Sequence, residues 1–172
     1  MARDLSIESI KSSLADPLRT YMWEMYIPNL PGGGDIEAVR MRCVAAALPN
    51  VASEPIVVDW RAMRFKIAGK LNYSHTITLN FLESADRRVL VALYAWRTLV
   101  TNPEDGTGNS PRDYKTDVYL SMLNMAGEEA LRVQLMGCYP EEMQEVPLDY
   151  STNEIIKQPL VLSYDRWIYV SS

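Results

Sequence analysis

The stretch HTITLNF, residues 75–81, is followed almost at once by SADRRVLVALYAWRTLV, residues 84–100. Between them the hydrophobic period changes from two residues to about 3.6. In the first stretch His75, Ile77, Leu79 and Phe81 share one side, while Thr76, Thr78 and Asn80 share the other. That alternation predicts a strand with one face buried and one face wet. In the second stretch Val89, Leu93, Trp96 and Val100 fall on one helical stripe, and Ser84 is the expected N-cap.

Most of the remaining chain has the strand period. MRFKIAG, residues 63–69, alternates, and so does IEAVRMRCV, residues 36–44. In the latter Ile36, Ala38, Arg40 and Arg42 oppose Val39, Met41 and Cys43, which predicts a strand with a mixed face. LRTYMWEMYI, residues 18–27, reads as a strand buried on both sides for much of its length. Residues 117–125 and 131–138 predict a hairpin around Ala126-Gly127-Glu128. Residues 154–169 predict a last long strand, with Pro159 suited to an edge or a bulge.

Turn and loop signals separate these runs. PNLPGGGD is a turn, Pro49 and Pro55 bracket a loop, and TNPEDGTGNSPRDYK is a long polar loop. Leu5, Ile10 and Leu14 predict a short amphipathic helix or ordered arm, which Asp16-Pro17 ends. The expected organisation is an arm over residues 1–17 and one β domain over residues 18–172. The expected fold class is mainly β: a small antiparallel barrel or sandwich with one inserted α-helix.

The chain is long enough at 172 residues to bury a core without a disulfide or metal. Its formal net charge of -5 argues against a protein that grips nucleic acid by its phosphates. Cys43 and Cys138 lie in apolar surroundings outside any CxxC pair; two buried thiols are expected, with a disulfide left open. The N-terminal stretch has no apolar core like that of a signal peptide, and no apolar run is long enough to span a membrane. The expected compartment is therefore cytoplasmic, at least at synthesis, without membrane anchoring.

Catalytic and metal chemistry find little support. His75 is the single histidine, its neighbours are Ser74 and Thr76, and no GxSxG elbow occurs. A strand-end histidine of this kind reads as structural. Zinc would need more clustered His and Cys ligands. DYSTNE places Asp149, Ser151 and Asn153 like the start of a calcium loop. Glu154 then stands where that loop needs its turn-making glycine, and Leu160 where it needs the bidentate acid. Only an irregular cation site stays open. Glu141, Glu142 and Glu145 lie beside Pro140 and Pro147 and read as solvated charges between two strands. The expectation is no enzyme, no cofactor and no metal.

Several short motifs, taken in order, resemble the tail tube proteins of contractile-tailed bacteriophages. They are Ala47-Leu48-Pro49, Gly137 with Tyr139-Pro140, Asp149-Tyr150, Asn153-Glu154, and Tyr164, Asp165 and Trp167 near the end. The strand–glycine–strand run of residues 63–81 and the Trp96 helix also resemble that family, and the likeness spans residues 18–168. The PGGG turn and the EDGTGNSP loop depart from its pattern.

What the resemblance implies is a structural subunit. Six copies would close into a ring whose sheets join as one larger β-barrel, and rings would stack into a hollow tube. A contractile sheath would drive that tube through the host envelope, and DNA would pass along its bore. The implied partners are further copies of the chain, the sheath, the tape measure protein, and baseplate and tail-terminator proteins. The implied location is the virion, after assembly in the host cytoplasm. A baseplate tube-initiator protein and the inner tube of a non-phage injection system are the alternatives within the family. A monomeric small β-barrel ligand-binding protein is the alternative of another class.

Two surfaces follow as expectations. The loop over residues 50–61 is unusually apolar, and in the family the matching loop reaches the next ring. Asn50, Val51, Ile56, Val57, Val58, Asp59, Trp60 and Arg61 are therefore expected to meet a stacked or neighbouring copy, against the alternative of folding back on their own core. Thr76, Thr78 and Asn80, or Arg132 and Gln134, are candidates for a hydrated bore that does not hold DNA. An outer solvent face is the competing reading for both sets.

Overall fold

The computed structural model describes residues 6–170. The strand read at residues 75–81 is β5, Thr76–Leu82. Its inner side chains Ile77, Leu79 and Phe81 are buried, whereas Thr76 and Thr78 are exposed and Asn80 is half-buried. The helix is α3, Arg88–Val100, and Val89, Ala92, Leu93 and Trp96 form its buried stripe.

The complete order begins with α1 (Ile7–Leu14), β1 (Trp23–Tyr26), α2 (Ile36–Met41), β2 (Cys43–Ala45), β3 (Ala52–Trp60) and β4 (Met63–Asn72). After β5 and α3 come α4 (Pro111–Tyr114), β6 (Thr116–Leu123), β7 (Glu129–Met143), β8 (Lys157–Ser163) and β9 (Arg166–Val170). Strands pair in the order β1-β6-β7-β8-β5-β2, all antiparallel, and β9 adds to the first half of β7. This mainly β sheet curls into a nearly closed antiparallel barrel. Helix α3 packs against β7, and its Trp96 indole donates to the Tyr114 carbonyl at 2.7 Å.

One bend makes the curl. Gly137 adopts φ 67, and the β6–β7 register shifts beside it. Val133 and Leu135 point inward before the bend, and Cys138 and Pro140 point inward after it. The extra residue lets β7 serve two half-sheets, with β9 beside its start and β8 beside its end.

Several expectations are corrected. Residues 36–41 are a helix, because the Asp35 carboxylate caps the Ala38 N–H at 3.0 Å and only Val39 needs full burial. The strand expected over residues 18–27 is confined to Trp23–Tyr26, with its side chains buried on one side only. Ser84 does not cap α3: Arg87 occupies the cap position at φ 55. The free amides there go instead to Asp86, which accepts from Arg88 N, and to Glu83, which accepts from Leu90 N. The last long strand is two strands, broken at Tyr164-Asp165. Pro159 lies between β5 and β8's other neighbour rather than on an edge; it stands opposite Asn80, and its carbonyl accepts from Gln144 N. Glu141 and Glu142 belong to β7 rather than to the link between two strands; of that acidic group only Glu145 lies in the connection to β8, residues 144–156. The polar loop after α3 contains α4. The N-terminal reading is a helix from Ile7, while Leu5 lies outside the described residues, as do residues 171–172.

Candidate assembly interface

Residues 50–61 are not a loop. Most of them, Ala52–Trp60, are β3, the first limb of a hairpin whose second limb is β4. Ile56 stands opposite Ile67, Val58 opposite Phe65, and Trp60 opposite Met63. Paired residues share a face and the next pair takes the other. One face is therefore wholly apolar: Ile56, Val58, Trp60, Met63, Phe65 and Ile67. The other carries Val57 with Lys66 and the Asp59–Arg64 ion pair, closed at 2.6 Å.

This hairpin's extensive packing is between its own limbs. Trp60 is 61% exposed and Met63 72%. The alternative of a segment folded back on the core is therefore corrected. An isolated two-stranded hairpin is marginal in water, so its apolar side needs a cover that the described residues do not supply.

The base of the hairpin is anchored. Asn50 accepts from Ser74 N through its side chain at 2.9 Å and from the Trp167 indole through its carbonyl at 2.9 Å. Midway, Gly69 lets the limbs approach at the bulge after Ser53; a Cβ there would strike the Glu54 carbonyl. At the tip Arg61 takes φ 52 in the two-residue turn, with its guanidinium 5.9 Å from the Trp60 ring centre.

The motif residues divide into two groups. Gly137, Tyr139, Pro140, Tyr164, Asp165 and Trp167 meet at the corner where β8 passes into β9. Asp165 lies against Gly137 and pairs with Lys115, Nζ reaching both carboxylate oxygens at 2.8 Å. Lys115 also stands 5.7 Å from the Tyr139 ring centre. Buried Tyr164 shares a 3.1 Å hydroxyl contact with Ser74, and its carbonyl meets His75 Nδ1 at 3.1 Å. The histidine is thus a brace between β5 and that corner. Ala47, Leu48 and Pro49 connect β2 to the hairpin base.

Asp149, Asn153 and Glu154 lie elsewhere, in the 144–156 connection. The Asp149 carboxylate accepts from Ser151 N and Oγ, both at 2.8 Å. Those bonds, the backbone one first, hold its pKa below the ordinary carboxylate value. The calcium-like spacing is a local turn, and no group of three or more His, Cys, Asp or Glu among the described residues could hold a metal. Around this turn Val146, Leu148, Ile155 and Ile156 help line an open cavity of about 570 Å³. Leu148 is 81% exposed.

The two candidate bore faces differ. Thr76 and Thr78 lie open on β5. Arg132 is engaged by Glu129 at 2.6 Å, and Gln134 donates to Asp117 at 2.8 Å. Arg40, Tyr26, Tyr119 and Arg132 form a row of cation–aromatic and aromatic contacts across this second face. Cys43 and Cys138 are free thiols, and burial pushes both up to about 12.

The family described as phage tail tube protein matches residues 16–170. The chain belongs to that family. Tail tube membership agrees with solved structures of the same fold. One is the tube-terminating cap of the anti-feeding prophage, at 21% identity and TM-score 0.68, covering 91% of this chain and 92% of that one. Another is the sheath–tube complex of the PVC extracellular contractile injection system in its extended state, at 19% and 0.67, covering 98% and 100%. A third is the sheath/tube terminator of the PVC system, at 20% and 0.68, covering 90% and 97%. No curated protein matches significantly. As a tail tube protein, the chain has a tube-type structural role.

Sequence reasoning missed the second limb of the hairpin as part of this surface. MRFKIAG alternates like any half-buried strand. The available signal was its neighbour: two alternating apolar runs separated by Arg61-Ala62 spell a tight hairpin.

Proposed function

We propose that this tail tube protein is the repeating subunit of a hollow tube. Six copies join edge to edge in a ring, and rings stack head to tail. The observation that carries this reading is the hairpin, an apolar surface that its own barrel leaves uncovered. Three strand edges support it: β1, β2 and β9 each have a neighbour on one side only among the described residues. Open edges are a liability in a monomer and are satisfied when copies close a ring. A similar fold also occurs in the anti-feeding prophage baseplate, a 6-fold symmetrised assembly, at 14% identity and TM-score 0.65.

The hairpin residues Asn50, Val51, Ile56 to Val58, Asp59, Trp60 and Arg61 form the contact between copies. Thr76, Thr78 and Asn80, or Arg132 and Gln134, line the bore. The partners are the sheath, the tape measure protein, then DNA, and baseplate and terminator proteins at the ends. The role is structural rather than catalytic, within a virion or a comparable particle assembled in the host cytoplasm.

Negative-stain microscopy of the purified full chain tests this. Six-fold rings or hollow rods are expected; a dispersed 19.5 kDa species at every concentration would sink the reading. A single-ring role, as terminator or initiator, is the second reading. It is favoured by the equal likeness to terminator and tube structures. Copy number per particle separates the two.

A further inference from the structure

Residues 50–72 and 144–157 lie at opposite ends of β5 and β8. The hairpin runs into the end of β5 where Thr76 pairs with Ser163. The 144–156 connection opens at the other end, where Leu82 pairs with Lys157 and Met143 with Leu160. The two segments also differ in charge. Arg61, Arg64, Lys66 and Lys70 outnumber Glu54 and Asp59 on the hairpin, although the whole chain is acidic. Arg64 is already paired with Asp59, which leaves Arg61, Lys66 and Lys70 against Glu54 alone. Glu145, Asp149 and Glu154 outnumber Lys157 on the connection, and none of these acids has an ion pair among the described residues.

Both segments expose apolar groups that nothing else in the barrel covers. The hairpin offers Trp60, Met63 and Phe65, at 61%, 72% and 49% exposure. The connection offers the open cavity with Leu148, Ile155 and Ile156 on its wall and Asp149 and Glu154 at its rim.

We propose that the 144–157 cradle of one copy receives the hairpin tip of a second copy, Trp60 entering the apolar cavity and Arg61 meeting Glu154. This rests on the proposed tube reading and deepens it, since it names the receptor for the hairpin. Donor and receptor occupy opposite ends of the same strands, so the contact is head to tail and extends without limit along the axis. Opposite charge selects the orientation, and apolar burial supplies the affinity. With limbs rising about 3.3 Å per residue, the hairpin reaches about 30 Å from its base.

The experiment uses the full chain and reads the concentration at which tubes form, by light scattering and negative stain. Arg61→Glu and Glu154→Arg are each expected to raise that concentration about tenfold or more, and the double variant to restore it. Added salt should raise it for the wild type. A chain carrying both Ala62→Cys in the hairpin turn and Thr152→Cys on the cavity wall, with Trp60 and Leu148 kept, should, on oxidation of formed tubes, give a ladder of cross-linked copies. Both positions are exposed, and unchanged circular dichroism and melting show that the fold survives. Tubes that form equally well in the single variants, or that give no cross-link, overturn the cradle while leaving the tube reading intact. Absence of rings and tubes from the wild type overturns both.

Discussion

Gly137 shows how much one residue carries in this protein. Its φ of 67 permits the bend in β7, and the Asp165 carboxylate fills the space a side chain would need. Gly137→Ala is expected to destabilise the isolated chain by about 1–3 kcal/mol through backbone strain and the displaced Asp165–Lys115 pair, measured by denaturant unfolding of an unassembled preparation. Trp96 tests the other side of the barrel. It is fully buried and hydrogen-bonded to Tyr114, so Trp96→Ala should cost about 3–5 kcal/mol by the same measurement.

Asp86 sets a pH dependence. It takes a paired hydrogen bond from Arg42 at 2.9 and 2.8 Å and another from Ser84 at 2.6 Å. Those bonds, the Arg42 one first, hold its pKa well below the ordinary carboxylate value. A depressed carboxyl contributes stability that is present above its unfolded pKa and lost as pH falls through the folded one. Melting temperature should therefore fall with acidification below about pH 4, and Asp86→Asn should flatten that part of the profile.

At the scale of elements, β5 and α3 were legible because each has one buried face, and burial writes its period into the sequence. Residues 36–44 were misread because Ile36, Ala38 and Arg40 alternate with Val39 and Met41 by coincidence in a helix that buries only Val39 fully. The capping Asp35 was the better signal. The hairpin was misread for the opposite reason. Pro55 and the apolar run suggested an irregular loop, yet Pro55 is accommodated beside the register shift that follows Ser53. The apolar residues stand out in the sequence, while their pairing with Met63, Phe65 and Ile67 depends on a register that no single limb encodes. The corner motifs could be recognised by family likeness, but Lys115, which ties Asp165 in place, carried no local signal.

In the proposed assembly the hairpin separates folding from association. Trp60→Ala removes a largely exposed side chain, so the isolated chain's stability should change by less than about 0.5 kcal/mol. Ring and tube formation should fail under conditions where the wild type assembles, as read by size-exclusion chromatography and microscopy. A comparable loss of stability in the unassembled chain would mean the indole serves its own barrel.

For the whole molecule, the barrel is a mount from which exposed apolar elements project. Helix α1 adds to these, presenting Ile7, Ile10 and Leu14 outward with none of its residues buried. The hairpin's bare apolar side has a consequence for the supply of subunits. Dispersed copies cannot be stockpiled quietly, since each carries an adhesive flank that encounters others by diffusion. In the proposed tube, orderly growth then depends on a seed that captures newcomers faster than they clump among themselves, and overproduction without such a seed should yield amorphous precipitate alongside rods of uncontrolled length.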